Sequence, residues 1–163
     1  MTFKKSVPHK YLSTNDVLDA LIAYGWIDGI RRKLDSDRTM QLISRRKAQH
    51  WSKTYKDRAD RLEQEGRMQD PGRRAIEASK QSGLWSFLDD VDALIIPEDL
   101  RAALKASPPA LERFSAFPPS AQRFALRDIK LAKTEATRLK RIDDVVSRAQ
   151  RGELPKGVRM TGR

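Results

Sequence analysis

The sequence contains no cysteine. That absence removes a disulfide framework, a thiolate zinc site, an iron–sulfur cluster and a cysteine nucleophile together. Histidine is almost as scarce, His9 and His50 being the only two. No apolar run approaches the roughly 20 residues needed to cross a bilayer. No apolar segment stands behind the basic start Met1-Thr2-Phe3-Lys4-Lys5 either, so neither a membrane span nor a secretory signal is expected, and the expected location is the cytoplasm. A glycine-rich phosphate loop, a nucleophile elbow and paired metal histidines are all missing. The expectation is therefore a protein without metal or cofactor, and not an enzyme.

What is present is a chain of 163 residues, long enough for one domain with a sizeable core. Apolar residues make up 39% and charged residues 34%, which gives a lean core under a heavily charged surface, well above the composition of a disordered chain. The net charge is +11 and is unevenly spread. Residues 1–50 carry ten basic and five acidic side chains, residues 51–100 eight and eleven, residues 101–163 fifteen and six. A surface of this sign attracts phosphates and releases their counterions. It also serves solubility and weak association with any polyanion, so charge alone names no partner.

Periodicity supplies the elements. Ser13 to Asp16 offer N-caps to a helix carrying Val17, Leu18, Leu21, Ile22 and Tyr24, which Gly25 ends. Ile27, Ile30 and Leu34, the turn residues Asp35-Ser36-Asp37, and Met40, Leu42 and Ile43 predict a β-hairpin over about 27–43. Ser52 to Gly66 and Asp70 to Gly83 predict two helices, the second opening with Pro71. Asp89, Asp90 and Asp92 form an acidic connection. Pro97, Pro108-Pro109 and Pro118-Pro119 open three more helices, the last with Ala121, Phe124, Ala125, Ile129 and Ala132 inward. Thr134 caps a final helix with a seam of Leu139, Ile142, Val146 and Ala149, stopped by Gly152. The expected fold is α+β: mainly α-helical, with one small antiparallel β-hairpin sheet packed by six or seven helices. Trp26, Trp51 and Trp85 are its expected core anchors. One domain is expected over 1–152, followed by a flexible basic tail over 153–163.

The run Gly25-Trp26-Ile27-Asp28-Gly29 is followed by Trp51-Ser52-Lys53, Glu65-Gly66-Arg67-Met68 and Ala75-Ile76-Glu77-Ala78-Ser79-Lys80. With Ala132-Lys133 and Thr137-Arg138 through Arg141-Ile142, these motifs resemble the bacterial YdeI/OmpD-associated family, also labelled bacteriocin-protection proteins. The resemblance spans roughly residues 10–150. It implies a helical domain with a small β element and a role in protection against bacteriocins or cationic peptides. It carries over no catalytic residue. Thr2-Phe3-Lys4-Lys5 looks like the end of a strand the family places earlier, and Arg45 stands where the family usually has proline.

Two groups of residues are candidates for contact with a polyanion or partner. Arg45, Arg46, Lys47, Trp51 and Lys53 form the densest basic segment, in which an indole stacks on a base while cations hold phosphates; alternatively Trp51 is a core anchor beside a solvated charge run. Arg123, Arg127 and Lys130 share one helix face, and Arg138 and Arg141 lie along the last helix, either as a positive groove or as ordinary solvated faces. Gly25, Trp26, Asp28 and Gly29 read as a structural motif, with Asp28 accepting backbone N–H groups and Gly29 at positive φ. A catalytic Asp28 needs a second titratable group within reach. The expected function is a non-enzymatic binding or stress-protection protein with an unknown protein or polyanion as partner. A nucleic-acid binder using the basic segment and the last two helices is the alternative.

Overall fold

In a computed structural model, which describes residues 1–47 and 49–158, the chain divides into two compact units, Met1–Leu88 and Asp89–Arg163. The sequence reading treated 1–152 as one domain.

The first unit begins with a two-residue strand, β1 (Thr2–Phe3), and a single 3-10 turn at Pro8–Lys10. Helix α1 (Thr14–Ala23) starts in a capping box: Ser13 Oγ accepts the Asp16 N–H at 3.1 Å, and Asp16 Oδ2 accepts the Ser13 N–H at 3.1 Å. Gly25, at φ +72°, turns the chain from α1 into β2 (Trp26–Lys33). The hairpin to β3 (Arg38–Arg45) closes on Asp35, whose Oδ1 accepts the backbone N–H of Asp37 at 3.0 Å and of Arg38 at 2.7 Å. Register runs from Trp26↔Arg45 to Lys33↔Thr39, with one extra residue on β2, so that Gly29 and Ile30 together face Leu42. β1 pairs with the other side of β3, at Thr2↔Thr39 and Phe3↔Arg38. The sheet therefore has three antiparallel strands in the order β1-β3-β2, where the sequence suggested two.

Helices α2 (Lys53–Gln64) and α3 (Asp70–Gln81) follow, each leaving through a glycine at positive φ, Gly66 and Gly83. The core of this unit gathers Ile22, Ala23, Trp51, Ala59, Leu62 and Met68, with Tyr55, Ile76 and Trp85 packed against them. Trp51 is fully enclosed and its ring lies 4.9 Å from that of Trp85, while Trp26 and Trp85 are half-buried. α1 and α2 are also clamped by charge. The buried Asp19 carboxylate accepts from Arg58 at 2.8 Å and from Arg61 at 2.6 Å. α3 approaches the end of α1 at Gly72, where a Cβ would lie 2.3 Å from the Ala23 carbonyl oxygen.

The second unit has only helices as regular elements among its described residues: α4 (Asp89–Asp92), α5 (Glu98–Lys105), α6 (Ala110–Ala116), α7 (Pro119–Lys130) and α8 (Glu135–Arg151). α8, capped by Thr134 Oγ1 accepting the Thr137 N–H at 3.2 Å, packs against α5, α6 and α7. Its buried face is Ile142, Val145, Val146 and Ala149. Leu139, expected in that seam, is 57% exposed near the start of α8, and Val145 joins the buried face. On α7, likewise, Phe124 is exposed and the inward set is Ala121, Gln122, Ala125, Leu126 and Ile129. Gln122 is satisfied there by donating to the Phe117 carbonyl at 2.8 Å. The tail expected to be loose holds a buried Pro155 and a Glu153 paired with Arg151 at 3.0 Å; residues 159–163 lie outside the described residues. No helix among the described residues is long and apolar enough to cross a membrane.

Candidate functional site: an arginine cleft beside an apolar groove

Gly25 decides the geometry of the candidate site. Its positive φ reverses the chain, its backbone carbonyl accepts the Arg46 N–H at 2.9 Å, and a Cβ there would lie 2.6 Å from the Pro71 carbonyl oxygen. The end of α1, the start of β2, the end of β3 and one face of α3 are thereby brought together. Between them lies a cleft of about 430 Å³, lined by Tyr24, Gly25, Trp26, Arg45, Arg46, Pro71, Arg74, Ala75 and Ala78.

The three arginines of this cleft differ from most others in the unit. Arg38, Arg58, Arg61, Arg67 and Arg73 are each in an ion pair. Among the described residues, no carboxylate is within ion-pair distance of Arg45, Arg46 or Arg74. Arg46 is buried, 8% exposed, with its guanidinium 3.9 Å from the Trp51 ring centre and 5.2 Å from that of Tyr55. Its Nη1 donates to the His50 carbonyl at 3.4 Å, and its Nε finds no acceptor among the described residues. Burial pushes the guanidinium below its usual range, opposed by Tyr55 and Asp28. It stays cationic because arginine does not lose its proton in proteins.

Asp28 lies within β2 and accepts from side chains, not from backbone N–H groups. Tyr55 Oη donates to its Oδ1 and Gln41 Nε2 to its Oδ2 at 3.3 Å. Burial, and then that bond to Asp28, push the Tyr55 hydroxyl up to about 12. Gly29 sits at the bulge and is not among the positive-φ glycines; Gly25 holds that role. The expected turn chemistry of the Gly25–Gly29 motif is thus carried by Gly25 alone.

A second concavity, of about 560 Å³, adjoins this cleft through Tyr24 and Trp26. Its walls are mostly apolar, with Met1, Leu12, Val17, Ala20, Leu21 and Ile43, and also include Thr2, Asp16 and Gln41.

The structure brings together Arg45 and Arg46 from the sequence candidates and adds Arg74 and Tyr24, which sequence reasoning missed. Arg73 and Arg74 are indistinguishable by sequence, yet Arg73 pairs with Glu63 and Asp70 and Arg74 faces the cleft. Trp51 is not open to a base, its indole being covered by Arg46 and Trp85. Lys47 is exposed outside the cleft lining, and Lys53 pairs with Asp57 at 2.8 Å. In the second unit Lys130 pairs with Asp90 at 2.6 Å, Arg138 with Asp99 at 2.6 Å and Arg141 with Asp128 at 3.3 Å. Hydrogen bonds from Arg138 hold the Asp99 carboxyl below its ordinary value. Arg123 and Arg127 have no ion pair among the described residues. No cluster of three or more His, Cys, Asp or Glu suited to a metal occurs among the described residues.

Comparison with known families divides the chain much as the fold does. Residues 93–152 match the family described as bacteriocin-protection, YdeI or OmpD-associated, OmdA. This segment is similar to an OmdA domain. Its match covers α5 to α8 and ends just past α8, at Gly152. Residues 1–75 match a different family, a domain of unknown function (DUF8412), and the arginine cleft lies almost entirely within that stretch. The resemblance noted over residues 10–150 is therefore carried by the OmdA match in the C-terminal part alone. No curated protein and no solved structure matches the chain.

Proposed function

We propose that this chain is a non-enzymatic cytoplasmic binding protein with a protective role of the kind its OmdA-like segment's family name describes, and that its ligand presents a compact anionic group such as phosphate. The supporting observation is that Arg45, Arg46 and Arg74 line one cleft with no carboxylate at ion-pair distance among the described residues. The exposed guanidiniums of Arg45 and Arg74 each offer a planar fork of donors matched to phosphate oxygens, and the buried Arg46 adds positive charge behind them. A non-catalytic reading is supported by Asp28, whose carboxylate is held by Tyr55 and Gln41 and borders neither the cleft nor the groove. Calorimetric titration with inorganic phosphate and butyl phosphate at two salt concentrations tests the reading. Binding that weakens with salt, and by at least about tenfold in Arg45→Ala/Arg74→Ala, is expected. Failure of the wild-type protein to bind either anion at low salt refutes it.

A second reading, nucleic-acid binding through the OmdA-like segment, is favoured by Arg123 and Arg127 on α7, both without ion-pair partners among the described residues. The slope of log affinity on log salt for DNA and RNA decides it, because each phosphate contact adds about 0.7 to 0.9 to the slope.

A further inference from the structure

The arginine cleft and the apolar groove form a continuous surface. Gln41, Ile43 and Arg45 lie two apart on β3 and so share one face of the sheet. Gln41 and Ile43 line the groove, and Arg45 lines the cleft. Across from them, Val17, Ala20, Leu21 and Tyr24 stand at i, i+3, i+4 and i+7 on α1, one helical face that starts in the groove and ends in the cleft. Tyr24 and Trp26, on either side of the Gly25 reversal, border both.

Neither half is complete by itself. Leu12 is 57% exposed and Ile43 46%, apolar surface that gains from being covered. At the other end the buried Arg46 has an Nε without an acceptor. Volumes of about 560 and 430 Å³ each suit a small molecule, and sites of that kind pair mostly apolar walls with a few placed polar groups.

We infer that the two together are the binding site of a single free amphiphile, with a phosphate-type head between Arg45, Arg46 and Arg74 and an aliphatic chain between α1 and β3. The inference rests on the anion reading above and adds the chain. A phosphate diester backbone has no aliphatic segment to cover Leu12, Leu21 and Ile43, whereas an alkyl phosphate matches both ends.

Calorimetry of the full chain with inorganic phosphate, butyl phosphate, decyl phosphate below its micellar concentration, and decanol tests this. Each buried methylene adds about fourfold in affinity, so decyl phosphate should bind one per chain and at least about 100-fold more tightly than butyl phosphate. Arg74→Ala should weaken both alkyl phosphates by the same factor. Ala20→Asp, at an exposed helix position in the groove wall, should abolish the gain in affinity from butyl to decyl phosphate. Leu12→Glu, also at an exposed position, should act in the same direction. Equal affinity for butyl and decyl phosphate, both sensitive to Arg74→Ala, would overturn the amphiphile and leave the anion site standing. Absence of binding by every phosphate overturns both. Vesicles of phosphatidylcholine with phosphatidic acid form the last arm. Capture that decyl phosphate does not compete away would assign a membrane surface instead and overturn the free ligand.

Discussion

The guanidinium of Arg46 lies 3.9 Å from the centre of the Trp51 ring, and both side chains are buried. A cation is held in the interior of the first unit by aromatic faces, with no carboxylate at contact among the described residues. Such stacking contributes about 2 kcal/mol when desolvated, and the aliphatic stem adds packing. Arg46→Ala should therefore lower the urea midpoint, with a loss of about 2 kcal/mol and a shift in tryptophan fluorescence. Arg46→Lys should recover little of it, because an ammonium does not reproduce the planar stack.

Gly72 allows α3 to meet the end of α1. A Cβ there would sit 2.3 Å from the Ala23 carbonyl oxygen and 2.6 Å from Met68 Sδ. Gly72→Ala should cost about 3 kcal/mol or more, in the range of overpacked core positions. The same change at Gly66, where φ is +67° and nothing lies within 4 Å, should cost about 1 kcal/mol from backbone conformation alone. Comparing the two denaturation midpoints separates close approach from left-handed backbone.

The Asp19 carboxylate is subject to opposing influences. Burial raises its pKa, but hydrogen bonds from Arg61 and Arg58 outweigh this and hold it below the ordinary value. A lowered native pKa means that the contribution is complete above the unfolded value near 3.8 and disappears as pH falls through the native one. Asp19→Asn should destabilise the protein at neutral pH by about 1–2 kcal/mol, the Arg61 side chain being 40% exposed and partly screened. Unfolding curves of wild type and variant should converge as pH falls well below 3.8.

Tyr55 should ionise late. Following phenolate absorbance during alkaline titration, one tyrosine step is expected at about 12. Tyr55→Phe should remove that step and cost about 1 kcal/mol, since Asp28 loses a donor.

In the segment that matches the OmdA family, the Asp99–Arg138 pair predicts a gain. Asp99→Asn removes the carboxylate that accepts from Arg138 at 2.6 and 2.9 Å. If nucleic acid binds here, the variant should bind more tightly, with a salt slope steeper by about 1. The pair is partly exposed, so stability should change by less than about 1 kcal/mol.

Helix ends were legible because their signals are local. Ser13 with Asp16, Pro71, Thr134 and Gly152 each acts within one turn of its own position. The hairpin was legible for the same reason, through Asp35 at its turn. The bulge was not, because Gly29 and Ile30 differ from their neighbours only in what lies opposite them on β3. Phe124 had the right apolar character but lies off the buried stripe of α7, and periodicity fixes such a phase poorly when a helix also carries small buried residues; Leu139 is in phase with its stripe but stands near the start of α8, where it is left uncovered. The basic residues were the hardest to read. Lys130, Arg138 and Arg141 found carboxylates across the fold, while Arg74 stayed free in the cleft, and those pairings depend on tertiary distances between 2.6 and 3.3 Å.

β2 lies at one margin of the sheet, with its hydrogen-bond ladder interrupted at Gly29 and Ile30 and with Arg31, Arg32 and Lys33 exposed along its last three positions. A second molecule extending the sheet there would meet an offset ladder and a row of cations repelling its own. Both features disfavour the addition of a foreign strand at that border, as charged and bulged sheet edges generally do.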